Sequence, residues 1–488
     1  MSGGSDNEYR RVRIDKTNRL REQGINPYPE RFERSHRLAE ARAMPEGSED
    51  VAIAGRVLTA RIMGKLSFLT LQDESGRCQV SVRQDEVGPD LYKIIKKLVD
   101  IGDFLGVKGK TYVTKTGEPT VAAVTITHLG KTLRPLPEKW HGISDRELLY
   151  RQRYLDLIMN TESMDRFKMR SRLIQVMRRY LEDQQFIEVE TPILTTKASG
   201  AAARPFNSHH HALDMEVFLR IAPETYLKRL IVGGFDRVFE FARCFRNEGM
   251  DPSHLQDFTM LEYYGAYWNY EDNMDFTEKL VQHTLQELFG TLKIKIGDNE
   301  IDFSGNWPRK PFRDLILGDI DLDIDAFSDA DSLRAAIAAK GITLEGVENM
   351  GRGNLIDQLY KKVSRPKLIQ PIFVTQHPID LSPLARRNDD NPKVADRFQL
   401  VIRGWEVVNA YSELVDPLDQ RSRLEDQASL KESGDDDAMP MDEDYLLAME
   451  HGMPPMSGFG MGIDRFCALI SDQDNLKDVV LFPLLKPE

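Results

Sequence analysis

Two apolar, strand-like runs separated by a polar loop constrain this chain most. Phe239-Glu240-Phe241-Ala242-Arg243-Cys244-Phe245 leads into Arg246-Asn247-Glu248, and the chain returns through Phe258 to Glu262 and Tyr264. The loop between them, from about Asn247 to Asp257, holds Gly249, Asp251 and Pro252. This pattern predicts a long antiparallel hairpin. Alternate residues of a strand share a face, so Arg246 and Glu248 project together, and Phe258, Glu262 and Tyr264 share one parity on the return. An arginine there can clamp a phosphate or carboxylate bidentately, a phenylalanine offers a flat stacking surface, and Glu262 can pair with a cation.

With 488 residues, 41% of them hydrophobic, the chain can bury a large core and divide into two or three domains. No apolar run approaches bilayer length and the start, Met1-Ser2-Gly3-Gly4-Ser5-Asp6, lacks a signal-peptide core, so no membrane partner is expected. Cys78, Cys244 and Cys467 lie far apart without CxxC spacing. That argues against a disulfide framework or a cysteine zinc site and leads us to expect a cytoplasmic protein. A net charge of −13 argues against a surface that binds polyanions everywhere, while leaving room for a local basic patch. Arg10, Arg11, Arg13, Lys16, Arg19 and Arg21 crowd the first helix-like segment, which reads as a solvated face ahead of an RNA contact.

Residues 1–50 form a helical extension that stops at Gly24 and Pro27. From 51 to 133 the text is β-like, with short runs at Val51–Val57, Phe68–Leu71, Cys78–Val82, Phe104–Val107 and Val121–Ile126 and a helical piece near Leu91–Leu98. This fits a five-stranded OB-type barrel, a fold that binds oligonucleotides on aromatics beside cationic side chains. A Pro-punctuated stretch, 134–150, reads as a linker. In the remainder, 151–488, Met164–Gln185 is an amphipathic helix with Ile174, Met177 and Leu181 on its apolar side, followed by a strand from Phe186 to Pro192, whose proline suits a sheet edge. Ser199–Phe206 is a small-residue loop able to bring backbone close to a ligand. His209, His210 and His211 alternate in direction on a strand and so do not converge on a metal. The alternating aspartates of 319–325 lack the glycine and glutamate of a calcium loop and read as an exposed face within an insertion around 315–365. Asn409, Tyr411 and Glu413 share parity and can line one cavity, whereas Glu406 has the opposite parity and needs a bulge or twist to join them.

Phe245-Arg246-Asn247-Glu248-Gly249, then His254 and Asp257-Phe258-Thr259-Met260-Leu261-Glu262, closely resembles motif 2 of class II aminoacyl-tRNA synthetases in the form seen in lysyl-tRNA synthetases. The helix, strand and Pro192 resemble motif 1, and Gly458-Phe459-Gly460-Met461-Gly462-Ile463-Asp464-Arg465 resembles motif 3. The likeness spans nearly all of 50–488, with the three motifs in order. It implies an α+β protein, an OB-fold anticodon-binding barrel followed by a catalytic domain built on an antiparallel sheet flanked by helices, acting as a homodimer.

The resemblance also implies the reaction: ATP-dependent activation of L-lysine to lysyl-adenylate, then transfer to tRNA(Lys). Matching family positions, the catalytic residues are Arg246 and Arg465, and ATP is bound by Arg246, Glu248, His254, Phe258, Glu406 and Arg465. Lysine is bound by Gly200, Glu224, Arg246, Glu262, Tyr264, Asn409, Tyr411 and Glu413, and anticodon bases by Arg61, Phe68 and Gln79. A buried ε-ammonium needs partners, and two carboxylates and a phenol suit it; the aspartyl and asparaginyl enzymes of the same subclass need donors instead. The family's acidic magnesium ligands fall on Glu406 and on Gln399, an amide without negative charge, so weaker or altered magnesium binding is expected. Val415 stands where an asparagine is common. Rival readings are a paralogue that lysylates protein, against which the intact barrel counts, and a non-catalytic lysine or tRNA binder hinted at by Gln399.

Overall fold

The protein, seen in a computed structural model, is described over residues 3–137, 146–201, 203–249, 251–344, 346–347, 350–432 and 439–487. Part of the expected linker, 138–145, and Ala202 of the small-residue loop lie outside these residues. The chain forms two compact units, 1–144 and 145–488.

In the first unit β1 (Val51–Met63), β2 (Leu66–Asp73), β3 (Gly76–Arg83), β4 (Phe104–Val113) and β5 (Pro119–Gly130) close into a barrel in the order β1-β2-β3-β5-β4. Alternation does the work expected of it: Leu69, Leu71, Val80, Val82, Val107 and Val121 fill the interior. A Cβ at Gly109 would collide with the Ala122 carbonyl, which is why β4 and β5 approach closely there, beside a register shift. The basic helix Gly3–Glu22 departs from a purely solvated face. Arg13 is buried and donates to Thr132 Oγ1 (2.7 Å) and the Arg134 carbonyl (2.9 Å), and Lys16 pairs with Asp100 (2.5 Å). Arg10, Arg11, Arg19 and Arg21 remain exposed.

The second unit is built on β6 (Ile187–Glu188), β7 (Leu194–Thr195), β8 (Asn207–His210), β9 (Met215–Leu219), β10 (Arg237–Phe245), β11 (Asp257–Ala266), β12 (Lys293–Ile296), β13 (Asn299–Asp302), β14 (Arg309–Pro311), β15 (Ile372–Pro378), β16 (Val394–Ile402), β17 (Trp405–Ser412) and β18 (Met456–Gly462). Eight of these make one sheet, β14-β15-β16-β17-β18-β11-β10-β6, antiparallel except at its two edges. The predicted hairpin is β10–β11. The expected strand 186–192 shrinks to the two residues of β6, because Pro192 has no donor and only Val189 continues the pairing, through its N–H to the Phe239 carbonyl.

One face of the sheet is sealed by helices. Tyr263 of β11 stacks on Phe459 of β18 (centroids 4.2 Å apart) and donates to Asn273 Oδ1 (2.6 Å) on the helix Tyr270–Phe289. That helix starts where Asn269 and Asp272 form a capping box and stops at Gly290 in the left-handed region. The helix Thr161–Asp183 adds Leu173, Met177 and Leu181, with Ile174 only packed against the rim. A satellite core of Phe312, Ile316, Leu333, Leu355 and Leu359 gathers the helices Phe312–Ile320, Ala330–Ala339 and Arg352–Val363. The aspartate run there is engaged by Arg313, which reaches Asp323 (2.6 Å) and Asp325 (3.4 Å). On the opposite face the helix Glu224–Val232 covers one end, with Leu227 and Ile231 against Val238, Tyr264 and Met456, and a cavity occupies the rest.

Candidate active site

Three neighbouring strands from distant parts of the sequence build the cavity. In register, Glu262 lies beside Gly460, which lies beside Asn409, and Tyr264 lies beside Gly458, which lies beside Tyr411. Residues directly opposite on antiparallel strands share a face. The glycines of β18 therefore pave a trough between the polar side chains of β11 and β17. A Cβ on Gly458 would run into Glu413 Oε1 and the Tyr264 ring, and only glycine leaves this floor open. From Gly458 to Gly462 the trough runs for about 13 Å at ordinary strand rise, ending near Met260, Phe258 and Arg465.

The cavity, about 240 Å³, is lined by Gly200, Glu224, Arg246, Glu248, His254, Phe258, Glu262, Tyr264, Glu406, Asn409, Tyr411, Glu413 and Arg465. Every site residue expected in this unit except Gln399 is thus brought to one place. Gly200 adopts φ +90° and packs against Glu224, where a Cβ would sit 3.1 Å from the Glu224 Cβ. Glu224 opens the helix Glu224–Val232, but its carboxylate turns to the cavity, accepting from Tyr411 Oη (2.7 Å) and Lys228 Nζ (2.6 Å). Asn409 Oδ1 accepts from Arg397 Nε (2.8 Å), which leaves the amide's donor end to the cavity.

At the other end the Arg246 guanidinium lies 5.1 Å from the centre of the Phe258 ring, and its Nε is buried with no hydrogen-bond partner among the described residues. Arg465 reaches the carbonyls of Glu406 (2.9 Å) and Ser253 (3.4 Å), tying β17 to the hairpin loop. His254 is exposed and braced by Asp251 (2.7 Å). Glu406 joins this end through a bulge between Leu400 and Val401 on one strand and Glu406 and Val408 on the other. The extra residue, Val407, turns Glu406 to the face of Asn409 and resolves the parity conflict.

Burial dominates the electrostatics. It pushes the Glu262 carboxyl well above the usual range, with Glu224 adding to the rise and Arg246 and Lys228 opposing it. Burial also raises Glu413, to about 8, against the pull of Lys228. A pocket of this kind favours a cationic guest.

The sequence model of the family described as tRNA synthetases class II (D, K and N) matches residues 145–486, the part of the chain that carries this cavity. This chain belongs to the class II tRNA synthetases. The model described as OB-fold nucleic acid binding domain matches residues 51–129, the barrel. A lysine–tRNA ligase of Pelotomaculum thermopropionicum is 47% identical over 483 residues, 99% of this chain and 95% of that one. One from Carboxydothermus hydrogenoformans is 46% identical, covering 99% and 98%, and one from Escherichia coli O157:H7 is 44% identical, covering 99% and 97%. The synthetase so defined is an ATP-dependent enzyme.

In the barrel of the synthetase, Arg61 lies directly across from Phe68, and Gln79 across from Thr70, all on the outer face. Phe68 alternates with the buried Ser67 and Leu69, so it is not a core residue, and Gln79 is held by Thr120 (2.9 Å). Among the described residues no cluster of three or more His, Cys, Asp or Glu side chains could hold a metal by itself. Gln399 lies opposite Asn409, on the face to which the bulge brings Glu406. One carboxylate and one amide oxygen fit a magnesium ion held chiefly by a nucleotide's phosphates. Sequence reading missed Lys228, Arg397, Tyr445 and Asp464. Asp464 binds the Thr259 N–H (2.6 Å) and Arg170 (2.7 Å), locking the strand that carries Phe258. Only its place beside Arg465 in the third motif could have singled it out.

Proposed function

We propose that the protein is a lysine–tRNA ligase, which activates L-lysine with ATP and transfers it to the 3′-terminal ribose of tRNA(Lys). The observation that carries this reading is the pair of buried carboxylates, Glu262 and Glu413, beside the Tyr264 phenol at the Gly458 end of the trough, with Arg246, Phe258 and Arg465 at the other. Two acids and a phenol accept an ε-ammonium and reject neutral or anionic side chains, which leave the acids unpaired.

In this reading Glu224, behind Gly200, takes the α-amino group and the amide donors of Asn409 steer the carboxylate. Adenine stacks between Phe258 and Arg465, with Glu248 at the nucleotide and His254 at the distal phosphates. Arg246, whose Nε has no partner among the described residues, spans the lysine carboxylate and the α-phosphate. The carboxylate oxygen attacks the α-phosphorus in line, pyrophosphate leaves, and the terminal ribose hydroxyl of tRNA then displaces AMP. The chain contributes positioning and charge, the usual content of such sites. Magnesium, entering with ATP, would be held by Glu406 with Gln399 and would supply charge neutralisation at the phosphates. Arg61, Phe68 and Gln79 receive anticodon bases, Phe68 by stacking. A homodimer is part of the same reading: Ile187, Ile193 and Leu194, beside the short edge strand, are 52%, 45% and 54% exposed and suit burial against a second copy. So is a cytoplasmic location, where tRNA is charged.

Lysine-dependent ATP–pyrophosphate exchange across a magnesium titration tests it. Exchange with lysine, but not with aspartate or asparagine, is expected, followed by charging of tRNA(Lys). Folded protein that binds lysine yet shows no exchange at any magnesium concentration would point instead to a regulator.

A further inference from the structure

Behind the wall of the trough lies a charged group that the roles above leave unused. Lys228 is fully buried on the helix Glu224–Val232, 2.6 Å from Glu224 Oε1 and ion-paired with Glu413 Oε2. The rings of Tyr264, Tyr411 and Tyr445 surround its ammonium at 5.9, 5.6 and 5.6 Å. Lysine side chains are almost never buried completely unless paired. Its partners are the two carboxylates that the proposed function places at opposite ends of the amino-acid substrate.

Charge accounting shows what this arrangement achieves. With lysine bound, Glu224, Glu262 and Glu413 face the substrate's two ammonium groups, and Arg246 faces its carboxylate. Without a further cation one buried carboxylate is left over, at a cost of several kcal/mol by order of magnitude. Lys228 is that cation. Because it holds Oε2 of Glu413, Oε1, the oxygen beside Gly458, is the one turned to the trough.

We propose that Lys228 is a positioning residue for lysine selectivity: from behind the cavity wall its ammonium anchors the Glu413 carboxylate and completes the charge balance for the substrate's ε-ammonium. This rests on the lysine-ligase reading above. The groups that face Glu413 are Lys228 and Glu224 from the helix Glu224–Val232, Tyr264 from β11, Tyr411 from β17, the Gly458 backbone N–H from β18 and Tyr445 from the helix Glu443–Glu450. Lys228 is the one cation paired with it among the described residues. Although burial alone would lower it, Glu224 and Glu413 hold the Lys228 ammonium well above the usual lysine range, so it stays charged wherever the enzyme works.

The test is lysine-dependent ATP–pyrophosphate exchange by the full chain and by Lys228→Met at pH 7 and pH 9. Without Lys228 the Glu413 carboxyl ionises only at higher pH. The KM for lysine is expected to rise by about tenfold or more at pH 7, one decade per unit of displacement. That deficit shrinks at pH 9, with the KM for ATP within about twofold of wild type. An unchanged lysine KM, or a deficit equal at both pH values, overturns the proposal. Should Lys228→Met not fold, Glu413→Gln is compared with Lys228→Met/Glu413→Gln, in which both members of the ion pair are neutral. Equal lysine KM values within about twofold support action through Glu413, and a further loss in the double variant overturns it. Wild-type protein without lysine-dependent exchange would instead refute the ligase reading itself.

Discussion

Replacing Gly458 by alanine places one methyl group where the structure has no room for it. The new Cβ would lie far inside contact distance of Glu413 Oε1 and Tyr264 Cε1, and 2.9 Å from Tyr264 Cδ1. Ordinary carbon contacts sit near 3.5–4 Å, so the carboxylate and the phenol ring must retreat by about 1 Å. Overpacking of this kind costs about 1–3 kcal/mol of stability, and a displacement of about 1 Å at a recognition site costs on the order of a hundredfold in rate. Both displaced groups stand at the ε-ammonium end. The loss is therefore expected in the KM for lysine, with the KM for ATP changed by less than about threefold. Gly460 supplies the control, because a Cβ there meets nothing closer than 3.7 Å. Gly460→Ala is expected to hold its unfolding free energy within about 0.5 kcal/mol of wild type. Lysine-dependent exchange and urea unfolding measure both effects. A Gly458→Ala enzyme with the wild-type lysine KM would refute the assignment of Glu413 and Tyr264 to the substrate's side chain.

Three further outcomes follow from the same geometry. Gln399→Glu adds a carboxylate on the face shared with Glu406 and should lower the magnesium concentration giving half-maximal exchange; no change would remove Gln399 from the metal's surroundings. Burial raises Glu262 and Glu413, Glu413 to about 8, and lysine needs the Glu413 carboxylate ionised, so its KM should fall between pH 7 and pH 9, where the substrate's ε-ammonium, with a pKa of ~10.4, is still charged. A lysine KM that is flat over that window would contradict the raised carboxyls. Phe68→Ala removes an outward ring from the barrel and, at about 1–3 kcal/mol per stacked base, should raise the KM for tRNA about tenfold or more while leaving tRNA-independent exchange intact.

Much of the site was legible because strand parity is local. Phe258, Glu262 and Tyr264 share a face for the same backbone reason as Asn409, Tyr411 and Glu413, and the barrel's strands announce themselves by alternation. The parity rule even signalled its own exception at Glu406, which a single extra residue, Val407, then resolved.

Other features depend on which surface each element finally meets. Arg13 and Lys16 share a basic helix with Arg10 and Arg19, and only docking distinguishes the pair that anchors from the pair that faces water. Nothing in the local sequence marks Lys228; it becomes a buried counter-ion because Glu413, just past the end of β17, meets it.

The sequence by itself determined the two kinds of domain, the hairpin, and the residue types at each face, since backbone periodicity and motif spacing are properties of short segments. Tertiary structure alone decided that β18 lies between β11 and β17, so that its glycines become the floor of a trough and Tyr411 meets Glu224 across 187 positions of chain. Pairing at that range depends on the free energy of the whole sheet and its buried faces, which no local window contains.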